Sequence, residues 1–338
     1  GFGPGGHYTS NSAPEPVDSD WSFISNGDGT WTVNQYIGDV NATEVSIPYS
    51  HSGGSVTQII DGTGGNVSKI YIPDTVKTIG DAAFISSPLT SIVIPDSVTS
   101  IGEDSFRMCR YLTSVTLSKN LTTIPAGAFN LCDTLTSINI PSGVTEIGGF
   151  AFSYSPALTS LVLPDSVKTI GYSAFAGCTN LTSVNIPNGV LDIPAHAFSQ
   201  TKISSIIIPD TVTTIGEFAF SGCTALTSIV IPDSVITIGE SAFIGCTNLT
   251  SVTLSKNLTE LALGLFQGDN KLNSIVIPTN ITTIGKYTFG WCTALTSITI
   301  PNNVTTITYE AFYNDTNLTV SRPAARTTWT ASYLGCKA

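Results

Sequence analysis

Hydrophobic positions recur along most of the chain with a period of 22 or 23 residues. In one period the segment LTSIVIP has apolar residues at Leu226, Ile229 and Ile231 with polar or β-branched residues between them. This alternation is typical of a short β-strand. The proline that follows, Pro232, has no N–H to donate to a strand ladder, so the strand is predicted to end there.

The rest of the period predicts two more short pieces. VITIG is a second extended segment with Val235 and Ile238 pointing inward, and Gly239 breaks it. ESAFIGC is too short for a regular helix and is predicted to form one helical or 3₁₀ turn that buries Phe243. Each period is therefore predicted to be one coil that is mostly β.

The same pattern occurs eleven times. We take the residue after each first strand as the anchor of its coil. The anchors are Pro73, Pro95, Ser118, Pro141, Pro164, Pro187, Pro209, Pro232, Ser255, Pro278 and Pro301. Eleven residues after every anchor comes a phenylalanine, from Phe84 to Phe312. Self-similarity of this length predicts units that stack on their neighbours. The fold class expected is a β-rich solenoid of about 11–12 coils of 23 residues.

The consensus L-T-S-I-x-I-P-x-x-V-x-x-I-G-x-x-A-F-x-G-C resembles the BspA-like, or treponemal-type, leucine-rich repeats of bacterial surface proteins. The resemblance covers residues 67–320. It implies a right-handed leucine-rich-repeat superhelix of parallel strands with short helical or 3₁₀ turns. It also implies a non-enzymatic cell-surface or secreted binding protein, in several cases an adhesin for host matrix proteins, with no cofactor. Ligand sites in the family are not a fixed motif, so no functional residue transfers by position.

Both ends of the chain depart from the repeat. Residues 1–20 are rich in Gly, Pro and Ser and are expected to be a flexible linker or tail. Residues 21–66 are expected to be an N-terminal cap with a hairpin turn at NGDG, 26–29, and an irregular coil near Pro48. Residues 321–338 are expected to be a C-terminal cap and tail, in which Trp329, Tyr333 and Leu334 cover the last coil.

Composition narrows the range of partners. The chain has 338 residues, with 13 Lys and Arg against 24 Asp and Glu, and a net charge of −11. This balance argues against nucleic acid or anionic lipid, since both require a basic face. No apolar run approaches the length of a membrane span, so no membrane insertion is expected. The single Met and the Thr/Ser-rich composition suit an extracellular or cell-surface location.

The candidate chemical groups favour structural roles. Six of seven cysteines, Cys336 excepted, lie fourteen residues after an anchor, where other coils have Ser87, Ser155, Thr201, Asp269 or Asp315. This favours small buried residues over a metal or redox row, and we expect reduced, buried thiols. The three histidines are scattered without a second ligand or a nucleophile, and are expected to be solvated or in turns. No catalytic residue, metal site or cofactor is predicted.

The outward positions of the first strand remain as a binding surface. Four residues before the anchor, serine is nearly invariant, whereas two residues before it the residue varies. The candidate binding residues at this varied position are Tyr71, Val93, Asn139, Asn185, Ile207, Val230 and Val276. One interpretation is a shallow face for a protein partner, such as a host or extracellular-matrix protein. The other is that β-branched residues simply suit an exposed strand.

A second function stays open from the sequence. The chain could be a rigid spacer, or an assembly subunit of an extracellular structure, as the N-terminal segment and Cys336 suggest. The sequence leaves the oligomeric state and the identity of the partner undetermined.

Overall fold

The repeated residues form a parallel β-solenoid of about 13 coils of about 23 residues, with almost no helix. This computed structural model describes residues 6–60 and 62–336. The two coils beyond the eleven anchors have their first strands at Glu44–Ser46 and Thr319–Ser321. The chain divides into two compact units, Gly1–Val167 and Lys168–Ala338, which we describe separately.

Unit 1 begins with antiparallel strands and continues as parallel coils. Its strands are β1 Trp21–Ser25, β2 Trp31–Tyr36, β3 Glu44–Ser46, β4 Ser50–His51, β5 Gly54–Ile59, β6 Lys69–Tyr71, β7 Thr78–Ile79, β8 Ser91–Val93, β9 Ser100–Ile101, β10 Ser114–Thr116, β11 Thr123–Ile124, β12 Glu146–Ile147 and β13 Ser160–Leu161. One sheet has the order β1-β2-β5-β7-β9, with β4 also paired to β5. A second sheet, of the first strands, has the order β10-β8-β6-β3.

Unit 2 repeats the parallel arrangement. Its strands are β14 Thr169–Ile170, β15 Ser183–Val184, β16 Asp192–Ile193, β17 Thr214–Ile215, β18 Ser228–Val230, β19 Thr237–Ile238, β20 Ser251–Thr253, β21 Glu260–Leu261, β22 Ser274–Ile275, β23 Thr283–Ile284, β24 Ser297–Thr299, β25 Thr306–Ile307 and β26 Thr319–Ser321. First strands pair in the order β18-β20-β22 and β24-β26, and second strands in the order β16-β17-β19 and β21-β23-β25.

The third side of each coil consists of turns rather than helix. The residues nine and thirteen after every anchor have positive φ, and sixteen of these positions are not glycine. Such a backbone costs about 1–2 kcal/mol per residue. Hydrogen bonds between coils offset this cost: the N–H groups of Ala82, Phe84 and Ser86 donate to carbonyls of the next coil at 2.8 Å. The residues expected to form a helical turn therefore form a further hydrogen-bonded ladder, in addition to the ladders of the first and second strands. The α-helix among the described residues is α1, Ala331–Leu334, and a 3₁₀ turn spans Asp18–Asp20.

The core of both units is built from columns of like residues. Every repeat phenylalanine is at most 1 % exposed. Neighbouring rings stack at 5.3–5.6 Å between centroids in unit 1 and at 5.3–5.8 Å in unit 2. Each ring packs against the phenylalanine rings of the neighbouring coils, which explains why this position of the repeat is always phenylalanine.

The N-terminal segment is packed on unit 1, in contrast to the expectation of a free linker. Tyr8 is 1 % and Ala13 is 6 % exposed, and both pack against Tyr71. The expected hairpin forms between β1 and β2, with Gly27 and Gly29 at positive φ in its turn. Residues 1–5 lie outside the described residues.

The C-terminal segment takes the place of a further coil in unit 2. The carbonyls of Tyr333 and Leu334 accept the N–H groups of Glu310 and Phe312 at 3.0 and 2.8 Å. Trp329 and Leu334 are 6 % and 2 % exposed. These residues satisfy the turn ladder that the last coil would otherwise leave open. Residues 337–338 are outside the described part.

Candidate interaction surface

The first-strand face has two outward columns, which the parallel register aligns. In β18, β20 and β22, Ser228, Ser251 and Ser274 are directly paired, and Val230 is paired with Thr253. Outward residues are exposed while the residue between them is buried, as for Val252 at 7 %. The varied residues two before each anchor therefore form one continuous column within each unit, which we call the outer column.

The outer column of unit 1 is covered at one end and open at the other. Tyr71 is only 7 % exposed because Tyr8 and Ala13 pack on it, so this candidate binding residue is not open to a partner. Val93 is 41 % exposed, Asn139 is exposed, and Val162 reaches 77 %.

The outer column of unit 2 is open, and three of its residues are aliphatic. Ile207 is 85 %, Val230 is 62 % and Val276 is 83 % exposed, and Asn185 is also exposed. A single exposed aliphatic residue is common on protein surfaces, but three in one column form an apolar surface whose exposure to water is unfavourable. This is the part of the predicted site that the structure brings together most clearly.

The end of each first strand leaves a backbone acceptor on this face. The residue before the anchor donates its N–H to the next coil, as Ile231 does to the Thr253 carbonyl at 2.8 Å. Among the described residues, its own carbonyl accepts no backbone N–H from the next anchor, whether that anchor is proline or serine. The carbonyl of Ile208 opposite Pro232 is an example. The face therefore presents hydrogen-bond acceptors along one edge.

Apart from Glu44 and Lys69, which lie on β3 and β6, the charged side chains lie beside the face rather than on it. The outward strand positions between Ser91 and Val162 in unit 1 carry no ionisable group. Ion pairs occur in the turns after the anchors, with Lys119 3.9 Å from Asp96 and Lys256 3.8 Å from Asp233. All four side chains are more than half exposed, so these pairs contribute little to stability.

The cysteine column is a structural feature of the interior. The six repeat cysteines are free and buried. The thiols donate to the carbonyl of the phenylalanine in the preceding coil, as Cys292 does to Phe266 at 3.2 Å. Ser155 occupies the same position and donates to Phe129 at 2.9 Å. Burial raises the pKa of Cys109 to about 12 and that of Cys223 to about 11, so both remain protonated at neutral pH.

Two aspartates in this column are buried as fully as the cysteines. Asp269 and Asp315 are both 0 % exposed. Asp269 Oδ1 accepts the Cys246 N–H at 2.8 Å, and its Oδ2 has no partner among the described residues. Burial raises the pKa of Asp269 well above its usual range and that of Asp315 to about 8. The sequence marked these aspartates as occupants of the cysteine position but not as protonated acids.

The histidines are held in surface contacts. His7 Nδ1 lies 2.7 Å from Asp74, and His51 Nδ1 lies 2.6 Å from Asp18. His196 stacks on Phe218 with 4.9 Å between ring centroids. No cluster of three or more metal-ligating side chains occurs within 6–60 and 62–336. No helix in this part of the chain is long and apolar enough to cross a membrane.

The turn side of unit 2 carries a second surface that the sequence did not single out. Trp291 packs edge to face on Tyr313 at 4.8 Å and lies 5.7 Å from Tyr287. Beside Trp291, Gly245 and Gly268 line an open concavity of about 530 Å³. The signal available in the sequence was the bulky residues at the two turn positions where several other coils have glycine.

Comparison with known proteins identifies the family to which the repeat belongs. A family profile described as "BspA type Leucine rich repeat region", with six copies, matches residues 56–159, 145–262 and 213–323. No match was found among curated proteins. Proteins of this solenoid type are typically non-enzymatic scaffolds.

Three solved bacterial structures are similar to the chain. A leucine-rich cell surface protein from Faecalibacterium prausnitzii is 29 % identical, with a TM-score of 0.58, over 96 % of this chain and 99 % of that one. A leucine-rich repeat protein from Bacteroides ovatus is 26 % identical, with a TM-score of 0.63, over 96 % and 90 %. The pneumococcal vaccine antigen PcpA is 17 % identical, with a TM-score of 0.53, over 93 % and 87 %, and is similar in fold alone.

Proposed function

Because the chain belongs to the BspA-type leucine-rich repeat family, we propose that it is a non-enzymatic, adhesin-like binding module of a bacterial cell surface. Its partner is a host or extracellular-matrix protein. The similarity to a bacterial protein described as a cell surface protein supports the location. The excess of acidic residues supports a protein partner over nucleic acid or an anionic lipid surface.

The observation that carries the proposal is the presence of three exposed aliphatic residues in the outer column of unit 2. Ile207, Val230 and Val276 are 85, 62 and 83 % exposed on a strand face whose other outward positions are hydroxyl or amide side chains. Covering these side chains with a partner would remove apolar surface from water, at about 25 cal/mol per Å². The hydroxyl groups around them can form the polar rim of such an interface.

The test is a binding measurement with matched lysine variants. Ile207→Lys and Val230→Lys place a charge at the centre of the column, and Ile236→Lys makes the same change at a residue that is 57 % exposed outside the column. Purified fibronectin, fibrinogen, laminin and collagens are immobilised as the panel. We expect the first two variants to weaken binding by about 10-fold or more, and Ile236→Lys to bind like the wild type.

Two results would contradict the proposal. One is a panel, extended to whole serum and epithelial-cell surfaces, in which the wild-type chain binds nothing. The other is equal binding of a partner by Ile207→Lys, Val230→Lys and Ile236→Lys, because that places the interface away from the outer column.

A further inference from the structure

The chain binds a segment of itself on the outer column of unit 1. Residues 7–14 lie across Ser46 and Tyr71, which are paired neighbours in the column. Ser46 Oγ donates to the Pro14 carbonyl at 2.7 Å, and the Asp74 N–H donates to the His7 carbonyl at 2.8 Å. We call residues 7–14 the strap. It has no strand or helix of its own.

The most buried contact of the strap is made by its tyrosine. Tyr8 is 1 % exposed and its hydroxyl donates to the Ile47 carbonyl at 2.6 Å. Ile47 precedes Pro48, in the irregular coil before the first anchor, and its carbonyl accepts no backbone N–H from the described residues of the next coil. The tyrosine hydroxyl thus supplies a donor to a carbonyl at the end of the strand ladder. Burial raises the pKa of Tyr8 well above its usual range, so the hydroxyl remains a donor.

Equivalent carbonyls lie farther along unit 1. Those of Ile72, Leu117 and Ile140 also lie one residue before an anchor and accept no backbone N–H from the described residues of the next coil. The outward side chains beside them are Val93, Thr116, Asn139 and Val162, and all four are exposed. The carbonyl that accepts the Tyr8 hydroxyl therefore has equivalents along the column, whereas the strap covers only Ser46 and Tyr71.

A concavity joins the strap to the open part of the column. It has a volume of about 280 Å³ and lies between Tyr8 and Ser10 of the strap and Tyr71, Val93 and Thr116 of the strands. Lys69 is the one charged residue among those described that line it. Its ammonium lies 4.9 Å from the Tyr71 ring centroid and 4.0 Å from Glu44, so its charge already has partners.

We propose that the outer column of unit 1 from Val93 to Val162 binds an irregular, uncharged peptide segment of a partner protein that carries a tyrosine. The peptide continues the surface of the strap. Its tyrosine hydroxyl donates to the carbonyl of the residue before an anchor, and its small residues cover Val93 and Thr116. This proposal specifies the chemistry of the segment that the face binds, and it rests on the proposed function. It concerns the outer column of unit 1, whereas the proposed function is argued from the column of unit 2 that contains Ile207.

The experiment uses the full chain and a peptide copy of the strap. The probe is acetyl-GHYTSNSAP-amide, with the sequence of residues 6–14, titrated to about 5 mM by protein-observed NMR. A second peptide with Tyr8→Phe lacks the hydroxyl alone. The protein variants are Thr116→Lys in the column and Thr122→Lys outside it, which exchange the same exposed residue type for the same charge.

We expect saturable binding of the probe, with a dissociation constant on the order of 1 mM or below. Binding in this weak range is expected because the probe, unlike the strap, is not covalently joined to the protein. Thr116→Lys should weaken it at least about 10-fold and Thr122→Lys should not change it. The Tyr8→Phe peptide should bind about 2- to 10-fold more weakly, which corresponds to one lost hydrogen bond.

Three outcomes would overturn the inference. The first is that the probe does not saturate the protein. The second is that the Thr116→Lys and Thr122→Lys proteins bind the probe equally well. The third is that the probe binds only when the strap is weakened by Tyr8→Ala in the protein. The last would show that the probe replaces the strap and that the open column is not a site. None depends on Ile207 or Val230, so the proposed function can stand or fall separately.

Discussion

Replacing Asp315 by asparagine should make unit 2 more stable at neutral pH but not in acid. Asp315 is 0 % exposed, neither carboxyl oxygen has a hydrogen-bond partner among the described residues, and burial raises its pKa from the usual 3.8 to about 8. At pH 7 the folded chain therefore holds the proton, whereas the unfolded chain releases it. Asparagine has nearly the same shape and no proton to lose.

The sign and size follow from linkage. Because the folded-state pKa is raised, the stability from this group is fully present below about pH 3.8 and falls as the pH rises towards about 8. The slope is about 1.4 kcal/mol per pH unit. Between pH 3.8 and pH 7 the loss is about 4 kcal/mol at most, and relaxation around the buried carboxylate reduces it. We expect Asp315→Asn to be about 1–4 kcal/mol more stable than the wild type at pH 7.

The column explains why asparagine should fit. Cysteine and serine at this position donate to the phenylalanine carbonyl of the preceding coil, as Cys292 and Ser155 do. The Asp315 carboxyl makes no such bond, whereas the amide of asparagine has an N–H group that can donate to the same carbonyl. Cys292 faces the same space, and its own pKa is raised by burial and by Asp315, so it also stays neutral.

Urea unfolding at pH 4, 5.5 and 7 gives the stabilities, and hydrogen exchange of residues 301–320 tests local opening of the last coils. Asp210→Asn, at an exposed turn position, is the control and should stay within about 0.5 kcal/mol of the wild type at each pH. The reasoning is refuted if Asp315→Asn and the wild type differ by the same amount at all three pH values, or if the variant is less stable at pH 7.

Two further predictions concern the interior. Phe243→Ala should destabilise the chain by about 3–5 kcal/mol in urea unfolding, because Phe243 stacks between Phe220 and Phe266, whereas Tyr111→Ala, at a residue 64 % exposed, should cost about 0.5 kcal/mol or less. Thiol titration of the native protein should find at most Cys336 reactive, and unfolding without reductant should reveal the other six; fewer would indicate disulfides.

The inward columns could be predicted because each residue packs against copies of itself. The spacing of phenylalanine and of the aliphatic residues alone placed Phe243, Ile229 and Ile231 in the core, where they are 0, 3 and 2 % exposed. The position of the cysteines likewise predicted burial. What the sequence did not show is that several of these side chains hydrogen bond to the neighbouring coil: Cys292 and Ser155 donate to a phenylalanine carbonyl, and Asp269 accepts the Cys246 N–H.

The turns and the N-terminal segment could not be predicted from local sequence. Residues as different as Met108, Tyr154 and Glu310 adopt positive φ. Their conformation is set by hydrogen bonds to the next coil and not by their own preference. The strap reads as a linker because it contains few apolar residues, yet the surface that buries Tyr8 is built by Ile47 and Tyr71, far away in sequence. In both cases the stabilising partner is created only when the coils stack.

The solenoid separates the residues that stabilise the fold from those that are free to recognise a partner. Inside each coil a change at one position alters contacts with two copies of the same residue, so the columns of Phe and Ile stay uniform. The serine column faces outward beside the ladder and is also nearly uniform. The outer column has no such constraint, because a side chain at Ile207 or Val230 points into water. Variation there costs the fold little, and this is why we assign binding to the outer column.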